Sequence, residues 1–520
     1  MRSPIFAGAL IALLGGLAAT VAATAAAEEP AIVAVTPEET GDNDIWITLD
    51  PSDESDAALQ PQDGEAGDIG DDWLAPAPTI PEDLPEPSPT AAGYQGIWFT
   101  LGQFGDYGDK YSGGLGTYTA KHRPLAVYES AANKTFFVYG GARDGERYLL
   151  CMIGEYDHAT GEVSRPVIVH DKEGVNDPHD NPSLSVDAYG HLWVFVSGRG
   201  QRRPGFIYRS VLPHDTRYWE QVEELELTYP QPYYVRGQGF AHFFTKYTRG
   251  RELYFNSSPD GFSWTDTIKL AGMGGHYQVS DAAQGRIFTA FNFHPGGNVD
   301  KRTNLYYIES NDFGRTWRTV DGQEVAVPIE DTHSPSLIHD YRYDRRLVYV
   351  KDIDLDGDGN PVVLYVTSAS HFAGPPGDPR YWSIAHWNGS SWDRREITTT
   401  THNYDMGSLY VEDDPVWRII APTEAGPQPM GTGGEMALWI SEDRGQSWRM
   451  ERRITQDSAM NHKYARRPQN AHEDFYAFWA DGNPDEYSDS NLYFTNKQGD
   501  AVYRLPRVMD GDWAAPERVE

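Results

Sequence analysis

The chain predicts an all-β fold, a seven-bladed β-propeller, on three observations: one outer turn that recurs, strand-type runs with few helix-period stretches, and a repeat interval near fifty residues. The turn is Ser310-Asn311-Asp312-Phe313-Gly314-Arg315-Thr316-Trp317. It returns as Ser441-Glu442-Asp443-Arg444-Gly445-Gln446-Ser447-Trp448 and, one residue shorter, as Ser258-Pro259-Asp260-Gly261-Phe262-Ser263-Trp264. A polar turn holding Asp and Gly, closed by a hydroxyl residue and a Trp, reads as a hairpin whose carboxylate accepts backbone N–H bonds while the indole packs beneath it.

Degenerate copies of the same strand, turn and return strand fall at Tyr156 to Gly161, Tyr208 to Trp219, Tyr254 to Trp264, Tyr306 to Trp317, Ile384 to Trp392, Leu438 to Trp448 and Leu492 to Gly499, which makes seven. The interval between closing Trp residues suits a four-stranded blade, with a longer one before Trp392 absorbing an insertion. Between the turns, β-branched and aromatic runs such as residues 135–139, 191–196 and 347–350 read as the strands.

A net charge of −34 argues against nucleic acid or an anionic membrane as partner, because the general field repels both. It leaves room for an acidic polysaccharide, which needs only a local basic cleft; a monomer is expected. Met1-Arg2-Ser3-Pro4, an apolar run from Ile5 to Val21 and the small residues to Ala27 have the layout of a secretory signal peptide. The protein is therefore expected to be secreted and free of the membrane after cleavage. Residues 28–92 are acidic and Pro-rich, a largely disordered linker with a short strand expected around residues 45–49; residues 93–520 form the propeller. Cys151 is the single cysteine, which forbids an internal disulfide, and its apolar surroundings read as core.

Several stretches carry candidate chemistry. Asp352, Asp354, Asp356 and Asn360 alternate around a Gly turn and offer hard oxygen ligands for a structural Ca²⁺, against the plainer reading of an acidic β-turn; Val363 in the twelfth position excludes an EF-hand. Asn176-Asp177-Pro178-His179-Asp180-Asn181 leads into an inner strand and then Arg199, so that His179, Asn181 and Arg199 bracket the channel side of one blade. Thr228-Tyr229-Pro230-Gln231 begins the next blade, followed by Lys246, Tyr247, Arg249 and Arg251, an unusual basic group in so acidic a chain. These cations suit lowering the pKa of a Tyr or binding a carboxylate. His276, Tyr277, His333 and His402 recur at later blade starts as candidate substrate contacts.

The Ser-x-Asp-x-Gly-x-Thr-Trp turns resemble the Asp-box, or BNR, repeats of sialidases and related propellers. The fuller pattern, with His179 at a blade start, Thr228 to Gln231 and the Asp-box at Ser310 to Trp317, resembles the BNR-4 repeat family. That family includes seven-bladed polysaccharide lyases acting on ulvan, a sulfated algal polymer containing uronic acid. The resemblance places the family's blade-start His at His179 and its catalytic Tyr at Tyr229. It puts Arg199 where the family has a second His, a departure, and leaves Lys246 and Arg251 as candidates for the family's Arg. It implies β-elimination, with Tyr229 as base or acid, His179 its partner and Arg199 with Arg251 clamping the uronate carboxylate, and no organic cofactor. Two other readings stay open: a sialidase-like glycoside hydrolase, for which His122-Arg123-Pro124 offers one element, and a glycan-binding propeller without turnover.

Overall fold

Seven sheets follow one another along the chain, each an antiparallel meander whose first strand packs against the first strands of its neighbours around a central channel. The computed structural model describes residues 81–520 apart from Glu82, Leu115 and Asp414. The expected signal peptide, most of the linker and the strand expected at 45–49 lie outside the described residues. The first strands are Ala126–Glu129, Pro182–Val186, Thr228–Val235, Gln278–Ala283, Leu347–Leu355, Ser408–Asp413 and Asn461–Arg466, and they define blades 1 to 7.

The recurrent turns join the third and fourth strands, at the outer rim. In blade 4, Asp312 Oδ1 accepts from Thr316 N at 2.9 Å, Asp312 Oδ2 from Thr316 Oγ1 at 2.6 Å, and Ser310 Oγ accepts from Gly314 N at 2.8 Å. Asp443 repeats this in blade 6, and Asp260 does so in shortened form in blade 3. Trp317 lies beneath its turn, edge-on to Phe243 and Phe255, so each box joins its own blade to the preceding one.

The ring closes through both chain ends. The C-terminal strands Trp513–Ala514 and Glu517–Arg518 pair with blades 1 and 7 respectively. From the other end, Ile168 N donates to Pro89 O at 2.8 Å and Ser88 N to Arg217 O at 2.8 Å. Among the described residues, Ser88 and Pro89 already pair with the propeller, ahead of Gly93. Between Gly96–Thr100 and blade 1, residues 116–123 form a plug that runs from one mouth of the channel, at Tyr118 to Lys121, to the other, at Arg123. Cys151 is fully buried, and burial pushes its thiol up to about 12.

Candidate active site

The loops before the inner strands, with the first residues of those strands, line one mouth of the channel; the strand ends line the other. His179 sits in a single 3-10 turn, Pro178–Asp180, ahead of blade 2, whose cap is Asp177. Asp177 Oδ1 accepts from His179 N at 3.0 Å and from His179 Nδ1 at 2.5 Å. Its other oxygen takes Arg203 Nη2 at 2.6 Å, and Arg203 also grips Asp180. This fixes the ring so that Nε2 faces Tyr118 Oη at 3.3 Å. Burial pushes the imidazole below its ordinary pKa against the pull of Asp177, so near neutral pH the ring is uncharged, with its proton on Nδ1 and a lone pair toward Tyr118.

Tyr229 is the second residue of the inner strand of blade 3. It has φ 55°, and the register of that strand slips between Thr228 and Gln231. A positive φ at an aromatic residue costs about 1–3 kcal/mol, and here it aims the phenol into the channel mouth rather than along the sheet. Ser197 Oγ accepts the Tyr229 amide at 3.1 Å, while Arg199 Nη1 donates to Tyr229 Oη at 3.3 Å. Burial, with Tyr277 and Tyr247 nearby, pushes this phenol up; Arg199 and Arg251 pull it down. Arg199 and Arg251 lie over the Tyr247 ring at 5.8 and 5.4 Å, and Tyr277 stands edge-on to Tyr229 at 5.7 Å.

The structure therefore brings together His179, Arg199, Tyr229, Tyr247, Arg251 and Tyr277. The other expected contacts lie elsewhere. Asn181 is fully buried and its Nδ2 donates to Gly116 O at 3.1 Å and Tyr118 O at 2.6 Å, which makes it a clamp on the plug. Lys246, next to Tyr247 in an alternating strand, turns to the opposite face and lies over Tyr254. His276 accepts from Met273 N through Nε2 and engages Asn292 O through Nδ1. His402 is likewise spent on Tyr404 N and Asp109 O. His333 is 64 % exposed on a loop beside Asp331 and Asp340.

Sequence reasoning missed Tyr118, Lys121, Arg302 and Lys351, which line the same mouth. Arg302 lies between Tyr349, Tyr277 and Tyr404 at 4.5, 4.9 and 5.3 Å from their ring centres, and its Nη2 donates to Tyr404 Oη at 2.7 Å. Burial lowers both lysines, Lys351 to about 7. A signal existed for Arg302, which follows a Gly-Gly-Asn turn at the start of a blade's third strand, an end that faces the same mouth as the start of the first.

The larger cavity, about 570 Å³, opens at the opposite mouth, where most charges pair with one another and Arg466 donates to the Thr119 and His122 carbonyls. Arg123 pairs with Asp281 and Asp352, and Arg467 with Asp281 and Asp354. At the His179 mouth the cavity is only about 50 Å³, but no carboxylate is among its lining residues, and among the described residues neither Arg199 nor Arg302 sits in an ion pair. The two mouths thus differ in charge pairing as well as in volume.

The residues expected to hold calcium do not fit such an ion. Asp352 is taken by Arg123 and by Leu409 N at 2.8 Å, and Asp354 by Arg467. Asp356 accepts from Asn360 N at 2.7 Å, Asp358 N at 3.0 Å and His386 Nε2 at 2.8 Å, so the loop closes on itself as an acidic β-turn. Two other buried carboxylates are engaged as well. Asp405 accepts from Gly433 N, His402 N and Thr400 Oγ1, and Glu435 from Thr455 and Ser458.

Fold and site together define a seven-bladed Asp-box propeller with a cationic, phenol-lined channel mouth. The chain belongs to the BNR repeat-containing family, which matches residues 141–400. It is similar to the "Ulvan Lyase-PL25" of Pseudoalteromonas sp. (strain PLSV), 19% identical over 322 residues that make up 52% of this chain and 64% of that protein, so it spans just under two thirds of that relative. It is also similar to the "Ulvan lyase" of Alteromonas sp. (strain LOR), 18% identical over 74% of this chain and 85% of that one. Among solved structures, a PL25 ulvan lyase bound to -[GlcA(1-4)Rha3S]- superposes with a TM-score of 0.64 at 16% identity, covering 78% of this chain and 96% of that one. Among the described residues, no helix is long and apolar enough to cross a membrane.

Proposed function

We propose that this protein cleaves a uronate-containing polysaccharide by β-elimination at the His179 mouth, with ulvan as the first substrate to try. The observation that carries this reading is the makeup of that mouth: buried guanidinium and ammonium groups, phenols and one neutral imidazole, with no carboxylate among the lining residues. Ordinary retaining or inverting hydrolysis uses a pair of carboxyl groups, and a sialidase-like site uses a Tyr–Glu pair with an acid Asp; the residues lining this mouth include no Asp or Glu for either. Elimination needs something different. A cation neutralises the uronate carboxylate and makes the C5 proton removable, a base takes that proton, and an acid protonates the departing O4.

Arg199 and Arg251 flank Tyr247 and Tyr229 and suit the carboxylate, Arg199 standing where the family resemblance has a histidine. Tyr229 and His179 supply the acid and base. A solved relative holding a GlcA–Rha3S unit, which carries both a carboxylate and a sulfate, supports an acidic polymer as the class of substrate. A polymer of that size is met outside the cell, and the leader-like residues 1–27 would provide the export.

The test is incubation of the purified protein with ulvan, polygalacturonate and alginate while following the ultraviolet absorbance of the unsaturated product. Turnover that Tyr229→Phe abolishes supports the reading. Saturated reducing ends would establish a hydrolase, and binding without product a glycan-binding propeller; either result overturns it.

A further inference from the structure

We propose that Tyr118 is a further catalytic residue, and that Asp177, His179 and Tyr118 form a proton relay in which Tyr118 Oη takes the C5 proton. The inference rests on the lyase reading above. It starts from where His179 points. The rings of His179 and Tyr229 lie 6.0 Å apart, and the hydrogen-bond partner of His179 Nε2 is Tyr118. Tyr118 meets the imidazole edge-on, 5.3 Å between centres at 89°.

Every neighbour of this pair serves to hold it. Both oxygens of Asp177 are used, one on the His179 Nδ1 and one on Arg203. The Tyr118 carbonyl is fixed by Asn181 Nδ2 at 2.6 Å, and Thr119 N donates to His122 Nδ1 at 3.1 Å. A carboxylate that fixes the tautomer of an imidazole, whose free nitrogen faces a hydroxyl in a channel mouth, is the arrangement by which a weak hydroxyl is turned into a base. A packing histidine needs neither the carboxylate nor the arginine behind it.

The step balances within the site. As Tyr118 Oη takes the C5 proton, its own proton passes to His179 Nε2, and Asp177 stabilises the imidazolium. The C5–H electrons form the C4–C5 double bond, the C4–O4 bond breaks, and O4 takes the proton of Tyr229 Oη. The Tyr229 phenolate is left beside the Arg199 guanidinium, and the proton on His179 returns to it through solvent. Two tyrosines thus divide the work that the sequence assigned to Tyr229 with His179.

The titration of His179 sets the acid limb of activity. The groups facing it are Asp177 and Asp180, which favour its proton, and Arg199, which opposes it; Arg203 acts through both carboxylates, and His122, driven down to about 3 by burial, stays neutral there.

The experiment is steady-state kinetics on ulvan, polygalacturonate and alginate, with thermal unfolding of each variant as the fold check. Tyr118→Phe is expected to lower kcat by about 10²–10⁴-fold with KM within about threefold. Asp177→Asn, at a positioning residue, should lower kcat and displace the acid limb of the pH–rate profile, and Asp177→Glu should recover part of it. Should Tyr118→Phe disturb the fold, 3-fluorotyrosine at position 118 keeps the shape and lowers the phenol pKa, so the profile must move. A Tyr118→Phe enzyme with wild-type kcat, or with a raised KM alone, overturns the relay while an inactive Tyr229→Phe leaves the lyase reading intact. No unsaturated product from any of the three polymers by the wild-type protein overturns both.

Discussion

Arg199 donates through Nη1 to Tyr229 Oη at 3.3 Å across the boundary between blades 2 and 3. Arg199 belongs to blade 2 and Tyr229 to blade 3, so this contact exists only when the two blades are docked. A guanidinium there meets both the phenol and the space beside it, which suits an anion bound between Arg199 and Arg251. Tyr229→Phe is expected to reduce product formation by about 10²–10⁴-fold with the melting temperature little changed, because one oxygen is lost and the strained backbone is kept. Arg199→Lys should fall nearly as far, since a flexible ammonium does not reproduce a planar fork. Absorbance assays beside circular dichroism melts decide both.

Arg302 yields a second prediction of a different kind. It is held by three tyrosines and by Val299 O at 2.7 Å, on the far side of the same mouth, and has no carboxylate partner among the described residues. On the proposed lyase reading it would grip a second anionic group of the substrate and take no part in the proton transfer. Arg302→Leu is therefore expected to raise KM about tenfold while kcat stays within a few-fold, a loss of about 1.4 kcal/mol of binding. Raising the ionic strength should weaken wild-type binding more than that of the variant. An unchanged KM with a collapsed kcat would show that Arg302 acts on the reacting centre.

Much of this was legible in the sequence because it repeats. The Asp312 and Asp443 boxes are local, so their hydrogen bonds run among residues within four positions of each other and can be read from the letters. His179 and Tyr229 were legible because blade starts are set by the same count. Tyr118 was not, because the plug belongs to no blade and its place depends on contacts with Asn181 and Tyr464 far along the chain. Asp352 and Asp354 misled for the same reason. Their partners, Arg123 and Arg467, are distant in sequence, so an ion-pair network looked like a cation loop.

That network supports a prediction on stability. Asp352 is 1 % exposed in its side chain and holds Arg123, which also reaches Asp281. Removing one partner leaves a guanidinium desolvated without its closest charge, at a cost of about 3–5 kcal/mol. Asp352→Ala should lower the denaturant midpoint accordingly, and Asp352→Asn by less, because the amide still accepts from Arg123. Calcium or a chelator should leave the melting temperature of the wild-type protein where it is. A calcium-dependent shift lost in Asp352→Ala would restore the metal reading.

Acid should weaken the fold from about pH 6.5 downward through its buried histidines. His122 and His242 are driven down to about 3 and His276 to about 4, in each case chiefly by burial. In the unfolded chain each takes a proton near pH 6.5. Between those values the unfolded state binds more protons than the folded one, so stability is full above about pH 6.5 and falls as the pH drops toward the folded values. Each such group contributes a slope of about 1.4 kcal/mol per pH unit at most in that window. Urea midpoints measured from pH 7.5 to 4.5 should therefore fall steadily. His242 lies against Phe195 and Phe244 with one nitrogen on Asn256, away from the channel. A His242→Phe, Asn256→Leu pair removes that titration and its hydrogen bond together, and should flatten the pH slope by one group's share while leaving activity unaltered. A slope identical to wild type would mean that His242 is already protonated or solvated in the folded protein.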